Sequence, residues 1–313
     1  MPSVAAVYSI RLSTRFRGIT VREGMLIDGP AGWGEFCPFP EYDDAESAPW
    51  LAAAQEAAET GWPAPVRDRV PVNCIVAAVT PQRAHAIVAG SGCATAKVKV
   101  ADEPGSLDAD RERVAAVRDA LGPAGFVRVD ANGRWSVEES IGAIRALDRA
   151  AGGLQYVEQP CATIDELAAV RRAVDVRIAA DESIRRAEDP LRVAVAEAAD
   201  IAVLKCAPLG GVRRALAVAQ ACGLPCVVSS ALQTSVGLAG EIALAGALPS
   251  LEYACGLGTG ALFTADVVDE PLRPVEGWLP VLRRAPEPSR RGAVAADVER
   301  TAWWEARLSR LTR

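Results

Sequence analysis

Ala94–Val100 (ATAKVKV), Phe126–Asn132 (FVRVDAN), Leu154–Gln159 (LQYVEQ), Arg177–Ser183 (RIAADES) and Ile201–Ala207 (IAVLKCA) are short β-type apolar runs, each carrying charge near its C-terminal end. Helix-like segments alternate with them: Asp108–Leu121, Ser136–Ala150, Thr163–Val174 and Gly211–Cys222. Two of these open with capping boxes, Ser136-x-x-Glu139 and Thr163-x-x-Glu166, where each side chain satisfies the other residue's free backbone N–H. Strand-then-helix alternation on this scale predicts consecutive βα units and a parallel sheet. Leu224–Ser230 and Leu251–Gly256 add two more runs, and Pro71–Ala77, followed by the helix-like Pro81–Ala89, supplies an eighth. Eight units predict a closed (β/α) TIM-type barrel rather than an open doubly wound sheet. No G-x-G-x-x-G follows a strand.

The first 70 residues read differently. Val7–Leu12, Ile19–Ile27 and Gly32–Phe36 predict a strand meander, with a turn at Asp28-Gly29-Pro30, and Glu46–Thr60 an Ala/Glu-rich helix. The expected organisation is an N-terminal α+β capping domain (1–70), a barrel (71–265) and a C-terminal segment (266–313) packing back on the cap. That packing would bury Trp278, Trp303 and Trp304.

Taken in order, the strand ends give Lys97 and Lys99, then Asp130, Glu158, Asp181 and Lys205. The intervals from Lys99 onward are 31, 28, 23 and 24 residues, each about one βα unit. Charge thus recurs where barrel active sites are built. Period-two geometry places Lys97 and Lys99 on one face and Val98 on the other. The three carboxylates would repel one another without a cation, and an oxygen-only donor set suits a hard ion, most simply Mg²⁺. A proton α to a carboxylate is barely acidic, so its removal needs the enediolate stabilised, by a divalent metal with the Lys97 ammonium as helper. Lys99 and Lys205, roughly opposite across the mouth, can address the two faces of a substrate, one of them as base. Singly, Asp130 and Glu158 read equally well as solvated loop residues; the ordered set carries the inference.

Composition adds weight to the lysines. Of 34 basic residues only three are lysine, and all three lie at these strand ends. A chain that otherwise uses arginine keeps lysine where a proton must be exchanged, which guanidinium does not do. The single histidine, His85, excludes mechanisms needing two and reads as a helix-surface residue. Eight cysteines without a CxxC pair read as small buried apolar residues. A net charge of −6 gives no reason to expect nucleic acid or membrane as partner. With neither a signal-peptide pattern nor an apolar run long enough to span a bilayer, the expected location is cytoplasmic. The oligomeric state is left open, a monomer included. The stretch Gly256-Leu257-Gly258-Thr259-Gly260 could let Gly256 and Gly258 approach a substrate anion, or be a plain loop.

On these residues the chain resembles the enolase superfamily, muconate-lactonizing-type subgroup. That family carries K-x-K on the second strand, Asp, Glu and Asp metal ligands on the third to fifth, and Lys on the sixth. Lys97, Lys99, Asp130, Glu158, Asp181 and Lys205 match, and Gly32-Trp33-Gly34-Glu35 before Pro38 is similar to the cap's third strand. Within the superfamily, residues 32–40, 157–160 and 229–237 are similar to the hydro-lyases of menaquinone biosynthesis. Those enzymes dehydrate 2-succinyl-6-hydroxy-2,4-cyclohexadiene-1-carboxylate to an aromatic product. The resemblance implies that Lys99 removes the α-proton and returns it to the departing hydroxyl. It implies that Lys205 stabilises the enediolate from the other face, and that Ser230 touches the second carboxylate of the small-molecule substrate. The compact cap and Arg15–Arg22 depart from longer relatives. N-acylamino acid racemase and dipeptide epimerase are the alternatives on this scaffold, the latter weakened because the eighth strand lacks an acidic D-x-D. A non-catalytic metal-binding barrel would not need deprotonatable amines.

Overall fold

A computed structural model describes residues 3–185 and 191–312. The chain opens with an antiparallel meander, β1 (Ser3–Phe16), β2 (Ile19–Gly29) and β3 (Gly32–Phe36), in that spatial order. Only Arg17 and Gly18 join β1 to β2, and both have positive φ, as a tight two-residue hairpin turn demands. A register shift between Arg11 and Phe16 bulges β1 just before this tip. Helix α1 (Asp44–Gln55), capped by Asp43, lies so close to the sheet that a β-carbon on Gly34 would collide with the Ala54 carbonyl. Its continuation, Glu56–Thr60, widens into a π turn.

The barrel follows: β4 (Arg69–Pro71), β5 (Cys74–Val76), α2 (Pro81–Ala89), β6 (Thr95–Lys99), α3 (Leu107–Leu121), β7 (Phe126–Asp130), α4 (Val137–Ala151), β8 (Leu154–Glu158), α5 (Ile164–Ala173) and β9 (Ile178–Ala180). Then come short helices α6 (Glu182–Arg185) and α7 (Arg192–Val195), β10 (Ile201–Leu204), α8 (Cys206–Leu209), α9 (Val212–Cys222), β11 (Cys226–Val228) and α10 (Ser235–Ala247). Strands β5 to β11 form one curled parallel sheet in chain order. Both predicted capping boxes are present, at the starts of α4 and α5. Val98, Val129, Val157 and Leu204 face the helices in the main core, while Tyr156, Ile201, Val203 and Tyr253 fill the barrel interior. Among the described residues no helix is long and apolar enough to cross a membrane.

Cap and barrel are joined by carboxylates on helix N-termini. Helices in βα units begin at the C-terminal face of the sheet, so their unpaired N–H groups and positive dipole ends face the cap. Glu35, on β3, accepts hydrogen bonds from the Thr234 and Gly237 backbone N–H groups at the start of α10 (3.2 and 2.8 Å) and from the Tyr8 hydroxyl (2.7 Å). Glu56 does the same at α9, accepting from Val212 N (2.5 Å) and Arg213 N (3.2 Å). Buried Arg22 donates through Nε to the Leu232 carbonyl at 2.8 Å, tying β2 to the loop after β11.

The C-terminal segment supplies β12 (Trp278–Pro280) and α11 (Val298–Leu311). Trp304 is fully buried, edge-on to Phe36 with centroids 5.9 Å apart, and Trp303 packs beside it. Arg307 donates to the carbonyls of Phe39 and Tyr42 at 3.0 and 2.6 Å.

Several expectations need correction. Pro71–Ala77 is not one strand: β4 pairs antiparallel with β12, and only β5 joins the barrel. Trp278 therefore stays partly exposed under Arg69 rather than burying against the cap. The expected strand Leu251–Gly256 shrinks to two residues. Cys255 bridges Val72 and Gly256 bridges Ser229, closing the circle between β5 and β11. Such short contacts carry no alternation to read from sequence. The expected Glu46–Thr60 helix starts earlier, at Asp44, where Asp43 can cap it. His85 is on a helix surface as expected, 3.3 Å from Asp119, and all eight cysteines are buried and free.

Trp304→Ala should cost ~3–5 kcal/mol, the usual penalty for emptying a fully buried aromatic site. Urea denaturation followed by far-UV circular dichroism measures it, and a loss below ~1 kcal/mol would show that α11 does not hold the cap together.

Candidate active site

Six charges meet at the C-terminal mouth of the sheet because five of them end, or directly follow, one of five consecutive strands, and Lys97 lies two residues before the end of β6, on the same face as Lys99. The register aligns Lys99 with Asp130 and Asp130 with Glu158 across β6, β7 and β8. Lys97 Nζ holds both Glu158 oxygens at 2.9 and 2.8 Å, with Asp130 Oδ2 at 3.6 Å. Lys99 Nζ donates to Asp130 Oδ2 at 2.5 Å and to Asn132 Oδ1 at 2.7 Å. Lys205 Nζ donates to Asp181 Oδ2 at 2.5 Å. Five of the six are buried; the Lys99 side chain, 14% exposed, is the most open.

The environments separate the two lysines of β6. Burial works against charge on Lys97, but Glu158 and Asp130 outweigh it and hold the ammonium protonated. On Lys99 burial wins, reinforced by the Lys97 charge, and its pKa falls below the usual lysine value despite Asp130. Asp130 is held at about 2 because Lys99 and Lys97 overcome its burial. Glu158 is pushed up to about 7 by burial and by the Asp130 and Asp181 carboxylates, against the pull of Lys97 and Lys205.

Asp130, Glu158 and Asp181 offer only oxygen donors, and the mutual repulsion that raises Glu158 is what a divalent cation relieves. Among the described residues no three acids already converge as a ligand cluster, since each is turned onto a lysine. By donor chemistry, charge and adjacency the three fit a hard divalent ion.

Their surroundings form a small cavity of about 30 Å³, lined by Lys97, Lys99, Asp130, Asn132 and Lys205 below. The hairpin tip residues Phe16 and Arg17 close it from the cap, and Ser229, Ser230, Ala231, Leu232 and Thr259 from the side. Lys99 Nζ lies 5.3 Å from the Phe16 ring centroid. A second cavity of about 210 Å³ opens beside Lys99, bounded by Arg15, Arg17, Asn132 and Arg134. Of the candidate substrate contacts, Ser230 is at the cavity wall, its hydroxyl accepting from Thr259 Oγ1 at 2.8 Å. Gly256 and Gly258 lie where a side chain would press on Ser229 and on the Asn73 carbonyl, so close packing alone requires glycine there.

Three supporting groups carry no signal in the sequence. Asn132, the last residue of the run Phe126–Asn132, adopts φ of 50° and accepts from Lys99. Gln159 accepts from Asp181 N at 2.9 Å and Ser183 N at 3.2 Å, fixing the loop that carries Asp181. Phe16 had no signal, because a hairpin tip's reach depends on the bulge before it.

Comparisons with known proteins give the family and the fold. Residues 80–288 match the enolase C-terminal domain-like family and residues 7–58 the enolase N-terminal domain-like family. An o-succinylbenzoate synthase of Thermobifida fusca is 63% identical over 96% of this chain and 94% of its own. One from Mycolicibacterium smegmatis is 55% identical over 96% and 93%. Among solved structures, muconate lactonizing enzyme from Pseudomonas putida shares the fold, with a TM-score of 0.76 at 19% identity over 95% of this chain and 99% of that one. The chain belongs to the enolase superfamily, in the family of the o-succinylbenzoate synthases.

Proposed function

We propose that this protein is a hydro-lyase that makes o-succinylbenzoate by syn elimination of water from 2-succinyl-6-hydroxy-2,4-cyclohexadiene-1-carboxylate, a step of menaquinone biosynthesis. The observation that carries the mechanism is the pair Lys99 and Lys205. They line one cavity from β6 and from the end of β10, strands separated by three others around the curved sheet.

A divalent cation, most simply Mg²⁺, held by Asp130, Glu158 and Asp181 would supply positive charge to the substrate carboxylate. Lys99, whose pKa is lowered, takes the proton α to that carboxylate. Lys97, held as ammonium, and Lys205 on the opposite face stabilise the enediolate charge. As the enediolate collapses, the C–O bond breaks and Lys99 returns its proton to the departing hydroxyl. Water leaves and the ring becomes aromatic, so the lysine is regenerated without an oxidant or reductant. Asn132 and Asp130 hold the Lys99 amine through this exchange. Ser230, on the cavity wall, is the residue we assign to the second carboxylate.

Two lysines facing one cavity also suit proton exchange at a single carbon, as in N-acylamino acid racemisation. Assay of both substrate types decides between them. Aromatic product formed at ~10⁴ M⁻¹s⁻¹ or better, within the ordinary enzyme range, supports the synthase; racemisation without dehydration overturns it. Lys99→Arg and Lys205→Arg should each lower turnover at least ~10³-fold while circular dichroism stays native, because guanidinium neither accepts the proton nor fits the ammonium's place. Retained activity in either variant would sink the two-lysine mechanism. Treatment with EDTA should stop turnover and added Mg²⁺ restore it; full activity of metal-free protein would remove Asp130, Glu158 and Asp181 from the role of ligands.

A further inference from the structure

Helix α10 (SVGLAGEIALAGA) is buried along nearly its whole length and carries one charged residue, Glu241, which is wholly inaccessible to solvent. Burial pushes its carboxyl up to about 7. An acid in such a place is destabilising unless its oxygens are bonded, so its presence calls for a reason other than packing. Its contacts supply one. Glu241 Oε2 accepts from Cys206 N at 2.6 Å, and Oε1 accepts from Ala207 N at 3.4 Å and from Gln233 Nε2 at 2.8 Å. Cys206 directly follows Lys205, so the carboxylate clamps the peptide that carries Lys205 to the barrel rim.

The other arm of the chain reaches the opposite wall of the same cavity. Gln233 Oε1 accepts from Ser230 Oγ at 2.9 Å and from Ala231 N at 2.8 Å. The Ser230 hydroxyl in turn accepts from Leu232 N at 2.9 Å, holding Leu232 at a left-handed φ of 64°. One buried carboxylate thereby fixes both the backbone of Lys205 and, through Gln233, the Ser230–Leu232 wall.

We propose that Glu241 is a positioning residue that sets Lys205 against Ser230 across the substrate cavity, acting through the Cys206 amide and Gln233. This rests on the reading of Lys205 as the group facing the enediolate. A small displacement of Lys205 weakens an interaction made mainly in the transition state, so the loss falls on kcat more than on KM.

The test uses Glu241→Gln, which keeps size and one acceptor oxygen, beside Glu241→Ala. The chain has three lysines, so ¹³Cε-lysine labelling gives three signals, and Lys205→Arg identifies the one from Lys205. In substrate-free Glu241→Gln the Lys205 signal should move while those of Lys97 and Lys99 hold. With the cyclohexadiene substrate, kcat should fall at least ~10-fold and KM change less than ~3-fold, with Glu241→Ala worse than Glu241→Gln. An unmoved Lys205 signal, or kcat within ~2-fold of the parent in folded Glu241→Gln, overturns the proposal. The two readings fail separately. If the parent protein does not dehydrate the substrate but the Lys205 signal moves, the synthase reading falls and the positioning role stands. If dehydration occurs and the signal does not move, the reverse holds.

Discussion

Three ammonium groups and three carboxylates share the mouth of this barrel, and none of them would be stable there alone. An isolated buried ion costs several kcal/mol even after the protein relaxes around it, whereas a buried ion with a partner at 2.5–3 Å recovers much of that cost. The set is therefore mutually dependent. Lys97 bridges Glu158 and lies near Asp130, Lys99 holds Asp130, and Lys205 holds Asp181. Removing one member leaves an uncompensated charge in a place that water scarcely reaches. The same arrangement divides labour between chemically identical groups. Two carboxylates keep Lys97 charged, while burial and its neighbour's charge make the Lys99 proton easier to lose.

Such a site needs a lid, and the fold provides one through helix electrostatics. Every βα unit directs a helix N-terminus toward the catalytic face, where free N–H groups require acceptors. Glu35 and Glu56 of the cap are those acceptors for α10 and α9, while Asp266, at the start of the C-terminal segment, accepts from Ser235 N. The cap thus docks on the face that carries the charges. The bulged β1–β2 hairpin then lays Phe16 and Arg17 over the cavity. Glu241 belongs to the same pattern one layer deeper, a carboxylate accepting backbone N–H groups at the start of α8.

Much of this was legible in the chain. The lysines and carboxylates could be found because a strand's end recurs once per βα unit and because arginine had displaced lysine elsewhere. Capping boxes announced α4 and α5, since capping is a local exchange of hydrogen bonds within four residues. The hidden parts were non-local. Cys255 and Gly256 close the barrel with two residues, too few to show a period. Trp278 looked like cap packing, but its strand is claimed by β4.

Sequence by itself determined the order of units, the six charges and their place at strand ends, because strand period and helix capping are written in neighbouring residues. Only the tertiary structure decided which lysine each carboxylate holds, which lysine is easier to deprotonate and what Glu241 and Gln233 are for. Those outcomes depend on burial and on distances of about 3 Å between residues far apart in the chain, and desolvation energies exist only once the chain has closed around them.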